Sequence, residues 1–184
     1  MKEIELKILN IDKAKITQKL LDLGAVRVSS ELLIDKHYDT IDGRVKKKND
    51  SFRLRKIGDK TELTYKYGKT KNKKFIETNE VQTNIENYDA IEKIIELLGL
   101  KLTKQRERKR TSFVLGKIKI EIDENPKIPA YLEIEGDKKN IEKTVKLLGF
   151  SMEDTTNLTV GQVLKSYGVE SNFLKFEKWK NESL

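Results

Sequence analysis

The chain has 184 residues, 37% of them charged and 36% apolar, with 38 Lys and Arg against 30 Asp and Glu for a formal net charge of +8. That length suits one domain, or one domain with a tail, and the apolar residues fall in periodic blocks, which argues against disorder. No apolar run approaches a membrane span, the start lacks the form of a secretory signal, and the absence of cysteine excludes disulfides and thiolate metal sites; the expectation is a cytoplasmic protein whose metal, if any, sits among carboxylates.

The first segment, residues 3–9, alternates strictly: Glu3, Glu5 and Lys7 share one side of an extended chain, and Ile4, Leu6 and Ile8 share the other. Taken alone it is an ordinary half-buried strand with its charged side in water. A helix is expected over residues 12–23, where Asp12 can accept from first-turn amides, Ile16, Leu20 and Leu23 recur at helical spacing, and Gly24 supplies a left-handed cap. Strands follow over residues 32–40, 51–57, 62–67 and 75–83, with the tight loop Gly58, Asp59, Lys60 between two of them. Residues 42–50, DGRVKKKND, show no periodicity and read as an exposed basic loop. A second helix is expected over residues 87–98 before Gly99, and a third over 140–148 before Gly149, with strands over 102–115, 117–123 and 131–136 between them. Thr159 and Gln162 form a capping-box pattern for a helix ending near Tyr167 and Gly168. The division is one domain over residues 1–168 and a helical tail over 169–184.

The faces of these strands repeat the opening pattern. Arg53 and Arg55 oppose Phe52 and Leu54; Glu62, Thr64 and Lys66 oppose Leu63 and Tyr65; Arg106, Arg108 and Arg110 share a parity; Lys117, Lys119, Glu121 and Asp123 alternate with isoleucines; Glu133 and Glu135 flank Ile134. Either the charged face is open to water, or the strands close into a barrel with the charges inside and helices covering the apolar outside. The second is favoured because the charges cluster by sign, acids on the first and last strands and arginines on the middle ones. Like charges held side by side repel, and a bound ligand relieves that. A cation would sit by the carboxylates and a polyphosphate by the Arg and Lys rows, since the Arg fork suits phosphate oxygens.

In order along the chain, EIELK with Glu3, Glu5 and Lys7, HYDT from His37, RLRK with Arg53 and Arg55, LTYK with Lys66, RKR with Arg108 and Arg110, EID ending at Asp123, and LEIE with Glu133 and Glu135 resemble the CYTH family of triphosphate tunnel metalloenzymes. That group includes class IV adenylyl cyclases, thiamine triphosphatases and inorganic triphosphatases, and the likeness runs from residue 3 to about residue 167. It implies an α+β fold: an eight-stranded antiparallel closed β-tunnel with a charged interior and helices packed outside. It also implies that Glu3, Glu5, Asp123, Glu133 and Glu135 hold a divalent metal, magnesium or manganese, and that Lys7, Arg53, Arg55, Lys66, Arg108 and Arg110 cradle the triphosphate. Glu3, Glu5, Lys7 and Asp123 are implied in catalysis, with Glu80 and Glu121 as further acids nearby. Gln82 stands where the family often has the second acid of a Glu-x-Glu pair, and NPKIPA at residues 125–130 replaces a Gly-rich turn usual in cyclase-like members.

The expected function is metal-dependent hydrolysis of a triphosphate, whether inorganic tripolyphosphate, thiamine triphosphate or a nucleoside triphosphate. Cyclisation of ATP to cyclic AMP and pyrophosphate is the alternative, and a non-catalytic module binding polyphosphate or RNA is the third. The expected partner is the small-molecule substrate, with no membrane; the acidic rows and the opposite parity of Tyr65 and Tyr67 to Lys66 disfavour nucleic acid. His37, the lone histidine, reads as structural or as a tunnel-mouth residue. Lys46, Lys47, Lys48, Lys175, Lys178 and Lys180 read as solvated residues able to steer anions, and Trp179 as a homodimer contact.

Overall fold

A computed structural model describes residues 2–71 and 74–177. Eight strands make a closed circuit: β1 (Lys2–Ile8), β2 (Val26–Asp39), β3 (Ser51–Ile57), β4 (Lys60–Lys71), β5 (Ile76–Ile85), β6 (Lys101–Leu115), β7 (Ile118–Glu124) and β8 (Tyr131–Glu135). The order β6-β2-β3-β4-β5-β1-β8-β7 returns to β6 through a β6–β7 pairing, and every one of these pairs is antiparallel. Closure removes the open sheet edge and gives each strand one face inside and one outside. The expected eight-stranded tunnel is therefore the observed fold.

The helices are α1 (Lys13–Asp22), α2 (Arg44–Lys47), α3 (Tyr88–Leu97), α4 (Lys138–Leu147) and α5 (Val160–Ser166). Two apolar layers fix the barrel to them. Leu6 and Ile8 of β1, Ile120 and Ile122 of β7, and Leu132 and Ile134 of β8 pack with Ile16 and Leu20 of α1 and with Ile141 and Val145 of α4. Leu54 and Tyr38 pack with Ile95 under α3, with Phe52, Leu63 and Ile91 at the margin. Each fully buried aliphatic removes enough apolar surface to stabilise the fold by about 2 kcal/mol. These are the apolar parities of the strands, so the charged parities are left facing inward.

Asp12 and Asn87 cap α1 and α3 by accepting from Lys15 N and Ala90 N, and Thr159 and Gln162 form a capping box on α5. Several elements differ from expectation. The third long helix begins at Lys138, capped by Asp137 through the Asn140 amide, because Asp137 has the side-chain acceptor at the position where the backbone turns. The loop over residues 42–50 contains α2, ordered by Asp39, whose carboxylate accepts from the amides of Val45 and Lys46. β2 starts at Val26 because β6 continues to Leu115 and pairs with the added residues. In the described part of the tail, Phe173–Leu174 form a strand, β10, parallel to β6 at Gln105 and Arg106. β7 pairs with β6 only from Lys109 onward, so that stretch of edge would otherwise be unpaired. A further short strand, β9 (Thr155–Thr156), fills the β1 edge beyond β5 in the same way. Lys178, Trp179 and Lys180, and with them the dimer contact expected at Trp179, lie outside the described residues. Among the described residues, no helix is long and apolar enough to cross a membrane.

Candidate active site in the tunnel

Strand register stacks the inward residues into layers. Glu5 lies opposite Glu135 and Lys7 opposite Glu133; Glu121 faces Glu133, and Arg110 faces Asp123. On the other wall Asp35 is opposite Arg55 and Arg106, His37 is opposite Arg53 and Lys104, and Lys66 is opposite Glu80. All thirteen residues singled out from the sequence lie on inward rows, and most are joined by ion pairs.

Lys7 Nζ donates to Glu5 at 2.7 Å and reaches Glu133 at 3.0 Å. Arg110 binds Asp123 through two nitrogens, each at 2.7 Å, reaches Glu133 at 3.4 Å, and pairs with Glu121. Arg108 bridges Asp123 at 2.9 Å and Asp35 at 3.0 Å, and Asp35 takes Arg55 at 2.5 and 3.0 Å. Lys66 pairs with Glu3 and, at 2.8 Å, with Glu80. The Arg110–Glu133 and Lys66–Glu3 contacts each span an intervening strand, which requires side chains pointing into one lumen. Arg53 makes its hydrogen bond to Thr64 Oγ1 at 3.2 Å.

Burial raises the cost of every charge here, and the partners decide which survive. Asp35 is desolvated, yet Arg55 and Arg108 hold its carboxyl well below the usual range. Glu133 is likewise desolvated and is held low by Lys7 and Arg110, as Asp123 is by Arg108 and Arg110. Glu135 behaves oppositely: burial, with Glu3, Glu121 and Glu133 nearby, pushes it up to about 7 against Lys119. Glu3 is also raised, by burial first and then by Glu80 and Glu5, despite Lys66. Burial lowers Arg53 to about 10, with Arg55 adding to the effect.

The carboxylates of β1, β7 and β8 offer oxygen donors alone, the set that suits a hard divalent ion. Among the described residues no three of them converge into a ready cage, because Lys7, Lys66 and Arg110 occupy them. Burial and neighbouring carboxylates raise both Glu3 and Glu135, and a cation would reverse that. The donor set therefore fits a divalent metal. A cavity of about 270 Å³ lined by Lys2, Glu3, Ile4, Glu135, Gly136 and Asp137 opens at this end of the tunnel.

Three residues were not singled out for the site. Asp35 sits among Leu33, Ile34 and Lys36 and shows its role only through Arg55 and Arg108 across two strand pairs; its parity with His37 was the available signal. Lys119, paired with Glu121 at 2.8 Å, shares parity with Glu121 and Asp123. Tyr131 is 1% exposed, with its hydroxyl unpartnered.

The sequence model of the CYTH domain matches residues 1–160. A curated relative, a candidate adenylate cyclase of Methanocaldococcus jannaschii, is 25% identical over 91% of this chain and 97% of its own length. A candidate adenylate cyclase structure from Vibrio parahaemolyticus superposes with a TM-score of 0.78 at 16% identity, covering 89% of this chain and 97% of that one. A candidate adenylyl cyclase from Hippeastrum, described as revealing a dominant triphosphatase activity, gives a TM-score of 0.63 at 14% identity, over 96% of this chain and 92% of its own. What these two structures share with the chain is the fold.

Proposed function

Because the chain belongs to the CYTH domain family, matched over residues 1–160, we propose that it is a divalent-metal-dependent hydrolase of a triphosphate held along the tunnel. The observation that carries this is a set of buried donors without acceptors: Arg53 Nε, Arg108 Nε and Tyr131 Oη. Each is an N–H or O–H group, so the ligand that satisfies them is rich in acceptor oxygens and poor in donors. A triphosphate is such a ligand.

In this reading Arg53, Arg55, Lys66, Arg108, Arg110 and Lys7 take the phosphate oxygens. The guanidinium planes of Arg53 and Arg55 on β3 and of Arg108 and Arg110 on β6 hold the chain extended so that a terminal phosphorus is presented in line to water. Glu3, Glu5, Asp123, Glu133 and Glu135 would hold the metal, whose chemistry is to neutralise phosphate charge and polarise the attacking water. Attack forms a bond from the water oxygen to phosphorus and breaks the bond to the bridging oxygen, releasing orthophosphate from the shortened chain. Glu3 and Glu5 lie at the end of the cradle from which that water would be oriented. Asp123, wedged between Arg108 and Arg110, fixes both guanidiniums.

Cyclisation of ATP is the second reading, favoured by the name of the M. jannaschii relative. The inward rows contain Tyr131 as their one Phe, Tyr or Trp side chain, beside the polar imidazole of His37, whereas folding a nucleotide back on itself needs a flat apolar wall for the base. That contrast favours hydrolysis. The test is a panel of tripolyphosphate, thiamine triphosphate and ATP with magnesium, manganese or chelator. Metal-dependent orthophosphate supports the hydrolase, cyclic AMP with pyrophosphate supports the cyclase, and binding without turnover leaves a binding module.

A further inference from the structure

The inward cations divide into two groups. Lys7, Arg55, Lys66, Arg108, Arg110 and Lys119 each have a carboxylate between 2.5 and 2.9 Å away. Arg53, Lys69, Lys104 and Arg106 have no carboxylate ion-pair partner among the described residues, and Arg53 Nε and Arg106 Nε are buried without an acceptor; Arg53 belongs to the central seat. The other three are not scattered. Register places Lys104 opposite His37 and Arg106 opposite Asp35, and Lys69 follows Lys66 on β4, so all three lie toward the end of the tunnel where β2 and β4 finish and β6 begins. Glu3, Glu121 and Glu135 mark the other end. The lumen is thus acidic at one mouth, carries ion pairs through most of its centre, and at the other mouth holds cations without ion-pair partners.

Lys46 of α2 adds to the field at Lys104, and α5 borders the mouth, with Lys71 Nζ donating to Gln162 Oε1 at 2.6 Å. The groups gathered there are ammoniums, a guanidinium, the His37 imidazole and the unpartnered Tyr131 hydroxyl. Burial presses on the cations: Lys69, Lys104 and Arg106 are all held below their ordinary values by burial first, with neighbouring cations adding to it against Glu5 at Lys69, Asp39 at Lys104 and Asp35 at Arg106. Inward residues of β6 run from Lys104 to Arg110, about 20 Å of strand and about 15 Å along the axis after barrel tilt. Arg108 and Arg110 already belong to the central seat.

We propose that this basic mouth is a further anion subsite, taking the phosphate groups of a linear inorganic polyphosphate beyond the third. The inference rests on the central rows being the seat of a triphosphate. It assigns Lys104 and Arg106 a role in chain-length preference: a fourth phosphate brings acceptor oxygens to donors that have none, whereas a nucleoside in the same place would bring a base to a wall of cations. A free orthophosphate shares the chemistry and is separated from the chain by the experiment.

The test is calorimetric titration of the full chain, without divalent metal, with tripolyphosphate, tetrapolyphosphate and orthophosphate. The fourth phosphate is expected to tighten binding about tenfold over tripolyphosphate, the worth of one charge-assisted contact. The double variant Lys104→Gln with Arg106→Gln should lose that preference, with tripolyphosphate affinity held within about threefold, and Arg106→Lys, which keeps the charge, should retain much of it. Circular dichroism establishes that each variant is folded, and the Arg106→Lys result stands if the double variant is not. Equal affinity of the native chain for the two polyphosphates overturns the proposal, as does equal weakening of both in the variant. Orthophosphate binding that disappears in the double variant while the polyphosphates bind alike would make the mouth a seat for single phosphate and overturn it too. Metal-dependent phosphate release is measured separately. A tetrapolyphosphate preference without turnover upholds the subsite and sinks the hydrolase, and turnover of tripolyphosphate without the preference does the reverse.

Discussion

Replacing Asp35 by Asn keeps the side chain's shape and removes one charge from a carboxylate that holds two guanidiniums at once. Asp35 is 7% exposed, and its oxygens meet Arg55 at 2.5 and 3.0 Å and Arg108 at 3.0 Å. Breaking such a buried pair leaves the remaining charges desolvated and uncompensated, at a cost of roughly 3 to 5 kcal/mol. Asn retains one acceptor oxygen, so the lower figure is expected. For a chain of this size that corresponds to a fall of roughly 6 to 12 °C in Tm. The carboxyl is held well below its ordinary value, so its contribution is fully present above the unfolded value, near pH 4, and is lost as pH falls through the lower folded value. The difference between native chain and variant should therefore narrow in acid. Tripolyphosphate added without metal should stabilise D35N more than the native chain, because the freed guanidiniums gain the oxygens they lost. Thermal and urea unfolding with and without tripolyphosphate measure all of this. A D35N chain within about 1 kcal/mol of native at neutral pH, or an equal ligand-induced gain in both, would refute the account, since packing alone would not respond to the anion.

Glu5→Gln and Glu133→Gln should each lower metal-dependent turnover by about two orders of magnitude or more in folded protein; full activity in both would remove these acids from the metal's shell. Arg53→Ala should raise KM well above any change in kcat, because its guanidinium faces the cradle and has Thr64 as its hydrogen-bond partner; steady-state kinetics with tripolyphosphate decides it. His37 is neutral, pushed down to about 3 by burial and by Arg53, Lys104 and Arg106 against the opposing effect of Asp35, with Ser51 Oγ at 3.2 Å from Nδ1. An anion at the basic mouth raises that value, so polyphosphate binding should take up a proton and tighten as pH falls through the raised value. Titrations near pH 5 in buffers of different ionisation enthalpy detect the proton, and its presence in His37→Gln would assign it elsewhere.

Local chemistry made much of the barrel readable. Residues 51–57 are a strand at both levels because a tight glycine turn ends it and its parity is unambiguous, and the helix caps at Asp12, Asn87 and Thr159 are short-range contacts. Closure was inferred from the sorting of charge by strand. What stayed hidden depends on pairs far apart in the chain. Asp35 is an isolated acid in an apolar stretch until folding brings Arg108, 73 residues away, to it. Residues 26–30 are strand because the far end of β6 pairs with them, although Val26 and Val28 remain exposed. α2 forms because Asp39, outside the loop, caps its amides. The uncompensated Lys104 and Arg106 look like the rest of a basic row, and only the partner map separates them from Arg108 and Arg110.

That partner map also bears on how a lumen with so many buried charges can fold before any ligand arrives. An Arg and Lys seat built for phosphate alone would leave several desolvated cations facing one another, at a cost a domain of marginal stability could not carry. The central rows largely avoid this by placing most cations against a carboxylate, Lys7 against Glu5 and Glu133, Arg110 against Asp123 and Glu133, with Arg53 the exception. On the proposed function these carboxylates are also the metal's donors, so the two ligands act on the same pairs from opposite sides. A cation drawn to Glu5 or Glu133 loosens their hold on Lys7 and Arg110, freeing those groups for phosphate, and phosphate drawn to Lys7 frees the carboxylates for metal. The coupling is reciprocal by linkage. The resting ion pairs thus serve stability without metal or substrate, and the exchange of partners between them accounts for why acids and bases share one lumen instead of being kept apart.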